Sequence, residues 1–346
     1  MKHLQKLGLL FSTCMIALTL SGCGGGGGGT SAGVTPAPTT TKARLFTSSW
    51  GDNTVRITND VLTSASPASP ALLAGGATGL DISGNARDDL AVDATRNLLY
   101  VGGNNSPTIR VWESASTLSG NVTPTRQITI SGATAFSYAR SPSLDSGRNR
   151  LYVTISTAAG ERLAIFNNAN TRTGVVTPDA LVNLGVGVEL QWMHIDAAND
   201  RLYAVEGSSP RLYVFNNVSS LVTGSVTPSR TITFTGLDLR DLAVDSARNR
   251  LYLSDRSGKV WAFANASGLT GTIADPAASA AASWAEGSAM GVIIDDMDRI
   301  WWWSDSAKSI SMYTNASTLS GSVTKAPDKV VSGVVNNGYG FGIWLY

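Results

Sequence analysis

A short aspartate-centred pattern returns five times along this chain, and no other feature constrains the fold as strongly. Leu90-Ala91-Val92-Asp93 is followed by Arg96-Asn97-Leu98-Leu99-Tyr100, and Leu144-Asp145 by Arg148-Asn149-Arg150-Leu151-Tyr152. Ile195-Asp196 precedes Asn199-Asp200-Arg201-Leu202-Tyr203, and Leu242-Ala243-Val244-Asp245 precedes Arg248-Asn249-Arg250-Leu251-Tyr252. Ile293-Ile294-Asp295 then precedes Arg299-Ile300-Trp301 with one residue fewer. The aspartates step by 52, 51, 49 and 50 residues. Each period holds only short stretches with two-residue alternation and β-branched content, such as Ile109-Arg110-Val111-Trp112 and Thr231-Ile232-Thr233-Phe234. Gly- and Pro-containing turns recur between the third and fourth stretches, as in Leu118-Ser119-Gly120-Asn121-Val122-Thr123-Pro124 and Thr223-Gly224-Ser225-Val226-Thr227-Pro228.

Four short strands per repeat of about 50 residues predict the blades of an all-β propeller. The ends supply the blade count. Arg44-Leu45-Phe46 matches a second strand with no first strand before it, and Gly340 to Tyr346 matches a first strand with nothing after it. Joined, they complete a sixth blade and close the ring, which removes the open edges that invite aggregation. Residues 43–346 are therefore expected to form one six-bladed β-propeller domain. The Asp-x-x-Arg/Asp-Asn-x-Leu-Tyr pattern resembles the NHL-repeat propellers and the wider group of gluconolactonase-type and strictosidine-synthase-like propellers. That group mixes binding modules with enzymes, so the resemblance implies architecture before activity.

The N-terminus predicts export. Lys2 and Lys6 precede an apolar run from Leu7 to Leu20, which is short of the roughly 20 residues needed to span a bilayer. Leu20-Ser21-Gly22-Cys23 resembles the bacterial lipobox, which implies a signal peptide over 1–22 and lipidation at Cys23. The chain has two cysteines. Cys14 would leave with the signal and Cys23 would carry lipid, so no thiol remains for a disulfide or for nucleophilic chemistry. Gly24 to Gly29 and the Thr/Pro/Ala-rich stretch after it read as a tether over 23–42 with a root-mean-square reach of about 25 Å. The resemblance to lipoproteins implies a cell-envelope location and, because Gly24 is not aspartate, the outer membrane. The signal holds two of the 26 basic residues and none of the 25 acidic ones. The processed chain is thus nearly neutral, with no electrostatic footprint for nucleic acid.

The repeated aspartates Asp93, Asp145, Asp196, Asp245 and Asp295 read as turn acceptors. Asn121, Asn217, Asn265 and Asn315, each in an Asn-x-Ser/Thr context, also read as turn residues. Function is expected where repeats disagree. The inner strands of a propeller surround its channel, and just before the repeated aspartates they carry Asp88, Asp89, Arg140, Gln191, Trp192, His194, Arg240 and Asp241. Asp89 and Asp241 belong to blades three steps apart and are expected to face each other, with Arg140 and Arg240 nearby, as ion pairs closing the channel or as a ligand site. His194 is the only histidine of the processed chain. It excludes a histidine-cluster zinc site. A Ser-His-Asp arrangement would need Ser143 beside it. Trp301-Trp302-Trp303 is expected as a packed strand rather than a sugar platform. Ser254 to Trp261 reads as a hairpin turn despite its likeness to the sialidase Asp-box.

Two functions fit. The first is an envelope binding or scaffold propeller for a protein or small ligand, with no cofactor. The second, implied by the gluconolactonase resemblance, is a lactonase or esterase in which Ca2+ or another divalent cation polarises an ester carbonyl. Its candidate ligands are Asp89, Gln191 and Asp241, with Asp88 or Glu189 as base. Arg140 and Arg240 would oppose such a cation.

Overall fold

The computed structural model describes residues 43–49, 51–63, 70–82, 90–131, 138–157, 160–185, 190–207, 209–285, 287, 289–304 and 306–333, and the backbone of 338–345. The signal peptide, Cys23 and the tether lie outside the described residues, as do Asp88, Asp89 and Glu189.

The strands form six sheets in a ring. Blade 1 is assembled from both ends of the chain: Gly338–Leu345 is its inner strand, followed outward by Ala43–Ser49, Thr54–Thr58 and Ala71–Leu73. Ala43 pairs with Leu345 and Phe46 with Gly342, antiparallel. The inner strands of blades 2 to 6 are Leu90–Asp93, Ala139–Asp145, Leu190–Asp196, Leu239–Asp245 and Ala289–Ile294. Six blades and the shared closing blade agree with the sequence reading.

Four blades gain a strand that the sequence pattern does not announce. Gly174–Val176, from the segment before blade 3's outer strand, runs parallel to blade 2's outer strand. Gly224–Ser225, Gly271–Ile273 and Gly321–Val323 do the same for blades 3, 4 and 5. Each added strand opens on a glycine at positive φ, from 64° at Gly321 to 149° at Gly224. Glycine holds this geometry without the Cβ clash of other residues, and it lets the chain step back onto the preceding blade. The recurrent Gly-x-Val segment is thus both a turn and an inter-blade clamp.

The repeated motif has one mechanical role in every blade. The Asp145 carboxylate accepts the Arg148 N–H at 2.9 Å and its guanidinium at 2.7 Å. Asp93 with Arg96 and Asp245 with Arg248 repeat the arrangement. Asp196 uses Asn199 instead, and Asp295 uses Met297 and Arg299. The arginines also reach forward: Arg96 donates to Ser146 O of the next blade at 2.7 Å, and Arg148 to Ala197 O at 3.0 Å. The next motif residue, Asn97, Asn149, Asp200, Asn249 or Asp298, sits at φ between 52° and 60°. Asn and Asp tolerate this region best among residues with a Cβ. Its side chain then accepts the N–H of Ser116, Asn170, Ser219, Ser267 or Ser317, fixing the turn after the third strand. Asn217, Asn265 and Asn315 occupy a second left-handed position in that turn.

The hydrophobic core lies between blades rather than at the centre of the ring. Each sheet is radial, so both of its faces meet a neighbour. Buried residues fall into six clusters, one per seam. Trp302 in the seam between blades 5 and 6 stacks on Tyr313 at 5.0 Å and meets Trp284 at 5.7 Å. Trp301 and Trp303 turn to the opposite face, against blade 1. A buried tryptophan removes about 200 Å² from water, on the order of 5 kcal/mol. This triplet is therefore core. The Asp255–Lys259 segment is a hairpin in which Asp255 accepts the N–H of Ser257 and of Asp238.

Asp145→Ala removes the acceptor of the Arg148 N–H and one of two acceptors of its guanidinium, the lost carboxylate itself being 2% exposed. Urea unfolding is expected to show a loss of about 1–2 kcal/mol, as for a lost turn or cap acceptor. A loss below about 0.5 kcal/mol, the range of ordinary surface changes, would contradict this role.

Candidate functional site

The ring has two unlike ends. The turns between first and second strands and the short 3-10 turns after the third strands gather at one end, where the repeated Asp-Arg-Asn network lies. The hairpins between second and third strands, such as Asp255–Lys259 and Ser304–Ser309, emerge at the other end. There the repeats differ.

Radial sheets also decide where inner-strand side chains go. Because a sheet's faces point around the ring, alternate residues on an inner strand aim at the following and preceding blades, and the strand's edge lines the channel. Leu242 and Val244 join the cluster with blade 4, while Ala243 joins the cluster with blade 6. A bulge adds a further shift. The pairing register breaks between Arg140 and Ser143, Leu190 and Trp192, Leu239 and Asp241, and Ala289 and Gly291, so Gln191, Arg240 and Met290 occupy extra positions.

Trp192 is fully buried between blades 4 and 5, among Leu239, Leu253 and Trp261. The Arg240 guanidinium lies 5.9 Å from its ring centre and donates to Asp238 at 3.1 Å. Asp241, 2% exposed, does not reach across the ring. Its Oδ1 accepts the Leu242 N–H and its Oδ2 the Val292 N–H of blade 6, each at 2.7 Å. Ser141 makes the equivalent link from blade 3 to blade 4 by donating to Gln191 O at 2.5 Å, and Ser143 donates to Met193 O at 3.4 Å. The Gln191 amide packs on Gly207, where a Cβ would lie 1.9 Å from Gln191 Cδ. Arg140 is 5% exposed. It covers the Tyr138 ring at 3.8 Å and donates to Asn104 O at 3.3 Å.

Of the sequence-derived set, the structure brings His194 and Asp241 to one cavity and Arg240 to Trp192, while Arg140 belongs to the seam of blades 2 and 3. The cavity, of about 170 Å³, lies between the inner strands of blades 2 to 6; residues such as Leu90, Met193 and Val292 line it, but the surface exposed to it is mostly polar. Ser143 lines it as well, but its hydroxyl is directed at Met193 O. His194 touches this space, yet protein surrounds it closely enough that desolvation pulls its pKa from 6.5 to about 4, against the opposing pull of Asp196. The imidazole is therefore neutral at neutral pH. Among the described residues no three His, Cys, Asp or Glu side chains gather as a metal-holding group.

Sequence reasoning missed a polar group on the variable end. Tyr138 donates to Glu161 at 2.6 Å, and Glu161 also accepts the Leu190 N–H of blade 4. Asp81 accepts the Asn105 N–H at 2.9 Å and its amide at 2.7 Å. Between them, Gly103 exchanges backbone hydrogen bonds with Ala139 at 2.8 and 2.9 Å. A Cβ on Gly102 would lie 2.5 Å from Ala139 O, so the run Gly102-Gly103-Asn104-Asn105 was the available signal.

No protein-family model matches the chain, and no curated protein matches it by sequence. Among solved structures, the fold is similar to a chain in the crystal structure of a nidogen/laminin complex. The TM-score is 0.54 at 11% identity, covering 87% of this chain and 98% of that one. Solved chains similar to this one number 1274, and at such low identity the likeness establishes the propeller and no activity.

The lowered pKa of His194 has a measurable consequence. The unfolded chain takes up a proton near pH 6.5, whereas the folded chain resists until about pH 4. Stability contributed by neutral His194 is present above pH 6.5 and is lost as pH falls through 6.5 towards 4, by up to about 3 kcal/mol. Urea titrations of the parent and His194→Gln are expected to diverge over that window. Parallel profiles, or an imidazole NMR titration centred near 6.5, would contradict it.

Proposed function

We propose that the chain is an exported, lipid-anchored binding propeller of the cell envelope, most simply of the outer membrane, that engages a protein or small ligand through its variable end. One observation carries the reading. The polar groups on the inner strands are used to bond blades to one another, as Asp241 shows with an N–H on each oxygen. Among the described residues, the cavity left between the inner strands is about 170 Å³. The charged and aromatic pairs at the variable end, including Tyr138–Glu161 and Arg240–Asp238, supply recognition chemistry. The nidogen/laminin chain belongs to a protein complex, an arrangement in keeping with a scaffold role. The lactonase reading fares less well. Each Asp241 oxygen already accepts a buried N–H, which leaves it fewer lone pairs for a cation, and the Gln191 amide is packed on Gly207.

Thermal unfolding of the processed chain with calcium and with EDTA tests both readings together. The expected midpoints are equal, and Asp241→Asn is expected to lower both by the same amount. A panel of lactones and esters is expected to show no turnover above background. A calcium-dependent rise in the parent that vanishes in Asp241→Asn, or measurable hydrolysis, would replace the binding reading with the metal-dependent one.

A further inference from the structure

The chain enters the propeller at a defined end. Ala43, the first residue of blade 1's second strand, pairs with Leu345, and Ser49, at the other extremity of that strand, pairs with Gly338. In blades 2 to 6 the second strand starts at the Asp turn, as Arg150 does opposite Asp145 and Arg250 opposite Asp245. By the same pairing of strand ends Ala43 lies at the repeated end, and the variable end is one strand length away, about 20 Å for six or seven residues. A tether over 23–42 reaches about 25 Å. To bring the variable end to the anchoring membrane, the same tether must run past the whole height of a blade and around the ring's rim. That detour, the strand height plus the way out to the rim, is comparable with the tether's whole root-mean-square reach, so it lowers the tether's conformational freedom and favours the short approach.

We propose that the anchored propeller stands on its Asp-turn end and presents the variable end away from the membrane that holds it. Its partner is then a macromolecule lying beyond that membrane surface rather than a lipid headgroup within it. The two ends divide the work: one attaches, and the other is free to bind. This orientation rests on the lipid anchor of the proposed function.

The chain has no cysteine beyond Cys14 and Cys23, so single-cysteine probes are unambiguous once Cys23 carries lipid. Thr95→Cys and Ala247→Cys place a fluorophore on exposed positions of the Asp-turn end, and Arg256→Cys and Ala307→Cys on exposed hairpins of the variable end. The full chain, processed in a bacterial host and reconstituted in phosphatidylethanolamine/phosphatidylglycerol vesicles, is measured by energy transfer to a headgroup-labelled lipid acceptor. Transfer from the first pair is expected to exceed that from the second at least twofold. Equal or reversed transfer from a vesicle-bound, acylated chain would overturn the orientation alone. A chain that lacks acyl mass on Cys23 and does not float with vesicles would remove the anchor, and the orientation with it. Two probes at each end keep one poorly folded variant from deciding the result.

Discussion

A blade has two apolar faces and can cover neither by itself. Nearly every other feature follows from that. Each seam cluster takes residues from two blades, so no blade is buried without both neighbours, and the ring is stable only when closed. The pairing of Ala43–Ser49 with Gly338–Leu345 is therefore the contact that turns five repeats and two fragments into a cooperative unit. The polar architecture obeys the same rule. Arg96 and Arg148 reach carbonyls one blade on, Asp241 accepts from blade 6, and the glycine-led added strands lie on the blade before.

How much of this was legible depended on whether an interaction was local or crossed a seam. Asp145 and Arg148 are three residues apart, and Asn149 needs a left-handed backbone. Those demands fall on neighbouring residues, so they recur as a readable motif, and blade number and closure follow from counting it. The added strands were not legible. Gly174–Val176 pairs with residues about 46 positions earlier, and a three-residue run of Gly and Val reads equally well as a turn. Trp192 and Asp241 were legible as inner-strand residues where the repeats differ. Their partners were not, because period-two alternation specifies two faces, while only the radial setting of the sheets says that both faces meet protein.

The same geometry explains why chemistry is sparse in the channel. A side chain on an inner strand must bend away from its sheet's normal to enter the central space, and it competes there with backbone groups of the next blade that need partners. Asp241 and Ser141 meet that need. His194 is the exception: it reaches the cavity and is held neutral by burial. Beside it in the cavity of about 170 Å³, Ser143 directs its hydroxyl at Met193 O.

Variation is consequently confined to the end where seams do not dictate residue choice. At the Asp-turn end, changing a motif arginine such as Arg96 or Arg148 breaks bonds in two blades, because each serves its own Asp turn and a carbonyl of the next blade. At the hairpin end the connections differ from blade to blade: blade 2 bonds Gly103 to Ala139 of blade 3, while blade 5 turns within Asp255–Lys259. A ring built on repeated seams thus has one end fixed by its own assembly and one end open to specialisation. Ala43, the first described residue, joins it at the fixed end.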